Sequence, residues 1–86
     1  MKLNIKALAI AAGLLWGAMT FLFGIWASFY TPAAHVVGFA GNFYLGYEAG
    51  FLGAVIGLVW GFADGAIGGL ILAWLYNLLV GKFAAA

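Results

Sequence analysis

Two long stretches with almost no charge dictate what this chain can become. From residue 7 to residue 30 no side chain is charged, and from residue 49 to residue 80 only Asp64 interrupts the apolar run. At about 1.5 Å per residue the first stretch makes a helix roughly 36 Å long, enough to cross a hydrocarbon core of about 30 Å. The second stretch exceeds that need, so it must tilt, bend or protrude. With 69% of its 86 residues hydrophobic and 6% charged, the chain has too little polar surface for a water-soluble fold. The sequence therefore predicts an all-α membrane protein, a two-span transmembrane helical hairpin. A single membrane domain, 1–86, would comprise span one at 7–30, an apolar extracytoplasmic loop at 31–48 and span two at 49–80.

Thr31-Pro32 marks the end of the first span, because the residue before proline is driven out of the helical region. The connection that follows is unusually apolar for a loop, with Val36-Val37-Gly38-Phe39-Ala40 and Phe43-Tyr44-Leu45 in it. Such a segment is expected among lipid headgroups or against another subunit. Lys2 and Lys6 precede the first span and Lys82 follows the second. A hairpin gathers all three lysines at one face, and the positive-inside tendency makes that face cytoplasmic, with both termini inside and Glu48 outside. A secretory signal is the competing reading of the N-terminus, but the apolar run is longer than the ~7 to 15 residues usual for one.

The inventory for chemistry is thin. One histidine (His35), two carboxylates (Glu48 and Asp64) and no cysteine supply neither a metal cage nor a nucleophile with its base. No enzyme, cofactor or metal site is expected. Three lysines and no arginine leave no basic stripe to follow a phosphate backbone, which argues against nucleic acid as a partner. His35 reads as an interfacial polar residue, and Glu48 as a solvated acid suited to the start of a helix. Trp26, Tyr30, Tyr44, Tyr47, Trp74 and Tyr76 lie towards span ends and read as an aromatic belt, whereas Trp16 and Trp60 lie deeper and are expected to pack.

The strongest pattern is in the second span, where Gly53, Gly57, Gly61, Gly65 and Gly69 recur every four residues. At about 100° per residue these glycines form a ridge that winds by about 40° per step, with Asp64 about 20° from Gly53 and Gly68 near 60°. In the first span Ala9, Gly17, Thr20, Gly24 and Ala27 all fall within about 40° of Gly13. Two such small-residue faces can meet, since helices in lipid associate through close backbone approach and van der Waals contact. The pattern leaves open whether the faces close the hairpin or join separate copies.

Taking the middle of each span places Thr20 and Asp64 at similar depth. An Asp at a helix centre costs about 2.5 to 3.5 kcal/mol on insertion scales. No lysine is expected to reach it, Lys82 being 18 residues and roughly 27 Å away along a helix. The Thr20 hydroxyl, from the same or a neighbouring subunit, is therefore the expected partner of Asp64. Two roles for that pair are open: fixing helix packing, or handling water, ions or protons.

The string from Gly53 to Asn77, GAVIGLVWGFADGAIGGLILAWLYN, resembles small bacterial membrane proteins labelled bacteriophage holin. The start Met1-Lys-Leu-Asn-Ile-Lys-Ala7, Trp16-Gly17 and Tyr44-Leu-Gly-Tyr47 are similar to that family as well. The resemblance implies a homo-oligomer in the bacterial cytoplasmic membrane that permeabilises it. The C-terminus, Gly81-Lys-Phe-Ala-Ala-Ala86, differs from the strongly charged tail of many holins. Two alternatives stand beside this. One is a structural or accessory subunit of a larger membrane complex. The other is a proton-carrying ring subunit, like the two-helix rotor subunits of rotary ATPases, although this chain lacks their Arg-Gln-Pro loop and carries its glycine ridge on the second helix. The implied partners are the lipid bilayer, copies of the chain itself and other membrane subunits.

Overall fold

A computed structural model describes residues 2–84, which form three helices and no strand: α1 (Ile5–Trp26), α2 (Thr31–Ala40) and α3 (Phe51–Ala84). Met1, Ala85 and Ala86 lie outside the described residues. α1 starts where the Asn4 side chain accepts a hydrogen bond from the Ala7 amide at 3.0 Å, an N-cap that satisfies one of the helix's free donors. It ends at Trp26, four residues before the boundary expected at Tyr30. There Ser28 and Phe29 bond back to the carbonyls of Ile25 and Trp26, tightening the last turn out of the α-helix.

The connection is not a simple loop. Pro32 lies in the first turn of α2, where a missing amide proton costs nothing and a fixed φ favours the helix. Pro32, expected to end the first helix, instead opens the second, and Thr31 before it is already helical; α1 has ended five residues earlier, at Trp26. α3 follows Gly50, whose φ of +120° suits glycine alone, and runs through Gly81 and Lys82 instead of stopping there. α1 and α3 are each long and apolar enough to cross a membrane.

The two long helices lie antiparallel. Leu3 meets Asn77 at one end, Gly13 and Gly17 face Phe62 in the middle, and the Gly50 amide reaches the Gly24 carbonyl at the other. The glycines make this pairing close. A β-carbon on Gly61 would lie 2.6 Å from Thr20 Oγ1 and 3.1 Å from Gly17 Cα, and one on Gly65 would lie 2.6 Å from the Ala12 carbonyl oxygen. On Gly69 it would meet the Leu8 carbonyl at 2.9 Å, on Gly13 the Phe62 carbonyl at 2.8 Å, and on Gly24 the Ala54 side chain at 2.9 Å. Within one chain, then, the glycine faces close α1 on α3. Gly53 and Gly57 are occupied differently, the first by the Glu48 backbone and the second by the Tyr47 ring. Gly68 departs from the expectation: its α-carbon faces open space, because it lies on the flank of the ridge, away from α1.

α2 turns back alongside α1. Ala33, Val37, Ala27 and Tyr47 form the buried cluster under it, with Val37 1% and Ala33 2% exposed. The remaining surface of α1 and α3 is largely apolar, including Leu15 at 65% and Leu52 at 74% exposure.

Gly65→Ala and Gly68→Ala gain the same helix propensity, so their difference isolates packing. Gly65→Ala is expected to destabilise the helix pair by about 1–3 kcal/mol through overpacking. Gly68→Ala is expected to be neutral or stabilising by up to about 1 kcal/mol. Unfolding by denaturing detergent, followed by circular dichroism, measures both.

Candidate functional site

The polar side chains near the middle of α3 converge on Asp64. Its Oδ2 accepts a hydrogen bond of 2.5 Å from the Tyr44 hydroxyl, and that hydroxyl accepts one of 3.0 Å from the Trp16 indole N–H. The Tyr44 ring stacks on Trp60, with centroids 6.1 Å apart and planes at 14°. Trp60 in turn donates its indole N–H to the Leu45 carbonyl at 2.9 Å. Three segments thus meet: α1 supplies Trp16, the connection supplies Tyr44, and α3 supplies Trp60 and Asp64.

This places the connection far from where it joins α3. Trp16 is eight residues, about 12 Å along the helix, from Gly24, the residue level with the start of α3. α2 therefore runs back along α1, and residues 41–46 turn beside the middle of the helix pair. Gly46, with φ of +91°, makes part of that turn in a conformation other residues rarely adopt, while its α-carbon packs toward Ile56. The chain then returns through Tyr47, which is 5% exposed. Its ring fills the notch left by Gly57 and touches Gly24, and its hydroxyl donates to the Thr20 carbonyl at 2.7 Å. Substituting either glycine would displace this ring.

The expected Thr20–Asp64 pair is not formed within the chain. Thr20 Oγ1 donates to the Trp16 carbonyl at 2.7 Å, the back-bond a threonine makes to the residue four before it in a helix. The helix bounds account for the rest. Because α1 spans Ile5–Trp26 and not 7–30, its centre lies near residues 15 and 16, and Thr20 packs level with Gly57 and Gly61. Trp16, not Thr20, stands opposite the acid's neighbourhood. Asp64 also lies on the exposed edge of the glycine ridge and not within it.

The arrangement is directional. Trp16 donates to Tyr44 and Tyr44 donates to the carboxylate, so each bond polarises the next toward Asp64. No hydrogen bond among the described residues reaches Asp64 Oδ1, which leaves acceptor capacity on the outer surface of the pair. Sequence reasoning assigned Tyr44 and Tyr47 to an aromatic belt and expected Trp16 and Trp60 to pack. A separate signal was present: Tyr44, between Gly41 and Gly46, and Tyr47, just after Gly46, stand in an apolar segment and call for polar partners elsewhere.

Among the described residues no group of His, Asp and Glu could hold a metal ion. His35 and Glu48 are both exposed and neither joins the cluster. An open apolar cleft of about 340 Å³ lies beside it, between α1 and the connection, with Trp16 and Tyr44 in its wall.

Tyr44→Phe removes one donor and one acceptor together. It is expected to shift the Trp16 indole N–H resonance strongly and the Trp60 one weakly, with a stability loss of about 1–3 kcal/mol. Nitrogen-15 spectra of the tryptophan-labelled protein read both signals. Searches of family models, curated proteins and solved structures find no match to this chain.

Proposed function

We propose that this chain is a holin-like integral membrane protein: a two-span helical hairpin, both termini cytoplasmic, that self-associates in a bacterial inner membrane and permeabilises it. One observation carries the reading. The acid near the middle of α3 is exposed on an apolar surface, and only one of its oxygens is hydrogen-bonded among the described residues. In a bilayer such a group is costly unless a donor covers it. A neighbouring copy supplies that cover most simply, and the same outer face offers Gly68, open and one helical turn along, for close approach. The ridge glycines that pack within the chain are already occupied, so association uses this flank of α3 and not the ridge. The sequence resemblance to holin-labelled proteins supports the permeabilising outcome.

An accessory subunit of a larger complex is the second reading. It draws on the same exposed carboxylate, covered in that case by a foreign helix.

Expression of the protein alone in a bacterium, with dye entry and growth followed in time, tests the first reading. Dye entry is expected to rise as the protein accumulates, and intact membranes at high expression would sink it. Asp64→Leu is expected to weaken self-association by about three- to twentyfold, the factor for one interhelical hydrogen bond of about 0.6–1.7 kcal/mol. Recovery of stoichiometric foreign subunits after gentle solubilisation would favour the second reading.

A further inference from the structure

The end of the molecule opposite Glu48 carries a second polar feature. The extended N-terminal residues are tied to α3 by Asn77, whose side chain accepts from the Leu3 amide at 2.6 Å and donates to the Leu3 carbonyl at 2.8 Å. This two-bond clasp resembles one rung of a sheet ladder, made by a side-chain amide. It sets Lys2 beside the last turns of α3. There Lys2, Trp74, Asn77, Leu78, Gly81 and Lys82 line an open cleft of about 490 Å³.

The chemistry of that cleft is one-sided. Two lysines, from opposite ends of the chain, line it. Among the described residues neither acidic side chain is near: Asp64 is 18 residues from Lys82 along α3, and Glu48 packs against Gly53 at the far end of the same helix. The first turn of α1 holds no acid either. A β-carbon on Gly81 would meet nothing within 4 Å, so the cleft is unobstructed on that side. Beside the charges stand Trp74 at 56% exposure and Leu78 at 52%. A cationic pocket bordered by an indole and aliphatic surface matches a phospholipid at the membrane boundary, where tryptophan sits at headgroup level.

We propose that this cleft is a binding site for the phosphodiester headgroup of an anionic phospholipid, held by Lys2 and Lys82, with the acyl chains lying along Trp74 and Leu78. The site rests on the membrane hairpin reading and adds a ligand to it. Asn77 acts as a positioning residue: it touches the backbone of Leu3 and brings Lys2 to the cleft. Lys6 is exposed at the same end but does not line the cleft, which makes it the natural control for diffuse electrostatic attraction.

The test uses the full chain in mixed phosphatidylcholine and phosphatidylglycerol bilayer discs, with retained phosphatidylglycerol counted by native mass spectrometry. Lys2→Gln and Lys82→Gln are each expected to lower retention about fivefold, the effect of one basic residue near an anionic surface. Lys6→Gln is expected to leave it unchanged. Asn77→Leu, which alters no charge, is expected to lower retention as Lys2→Gln does. Equal losses from all three lysine variants would overturn the site and leave the membrane reading intact. Failure of the wild-type chain to insert into phosphatidylcholine alone would overturn the membrane reading, and the site with it. Full displacement of the lipid by its deacylated, water-soluble headgroup at equal concentration would show a free-anion site and overturn the lipid assignment.

Discussion

Where α1 meets α3, at Gly13, Gly17, Gly61, Gly65 and Gly69, the backbones come so near that there is no room for another β-carbon without displacing a neighbour. Side chains gain little by exchanging lipid for other apolar side chains, so such contact is what holds a helix pair together in a bilayer. It also fixes the register, because each of these glycines is matched to specific atoms of the other helix, such as the Ala12 carbonyl at Gly65 or the Thr20 hydroxyl at Gly61. The rest of the molecule hangs on that register. It sets Trp16 within reach of the group that bonds Asp64, and it makes the Gly24–Gly57 notch that receives Tyr47.

The connection between the long helices is built to satisfy itself. One face of it, Ala33 and Val37, is buried against Ala27 and Tyr47, while Val36, Phe39, Phe43 and Leu45 stay exposed on the other. Its two inner tyrosines send their hydroxyls to Asp64 and the Thr20 carbonyl, while its backbone closes turns at Asn42, Phe43, Tyr44 and Tyr47. Hydroxyls and turn amides paired in this way let the inner part of the segment lie against the helix pair, while His35, Asn42 and Glu48 stay on its exposed side. It is also what keeps Asp64 from standing without a donor.

Charge is distributed with equal economy. The described lysines, Lys2, Lys6 and Lys82, gather at one end of a molecule 52 Å long; Glu48 marks the other, and Asp64 lies between. The Asn77 clasp turns the first end from a loose tail into a defined surface.

The two long apolar helices were legible in the sequence, because apolar runs of that length have few other solutions; the small-residue faces could be read too, but not whether they close one chain or join copies. Their bounds were less so. The Asn4 cap and the early tightening after Trp26 moved the centre of α1 by a turn, enough to replace Thr20 with Trp16 near the acid. Pro32 was read as a stop but serves as a start. By itself the sequence placed Asp64 mid-helix in an apolar run, where a bilayer would demand a donor for it, since residue type and depth set the first part of that cost. Only the tertiary structure decided which donor. That choice depends on where a folded-back connection sets down its tyrosines, and a distance between residues 20 apart in the chain follows from packing, not from periodicity.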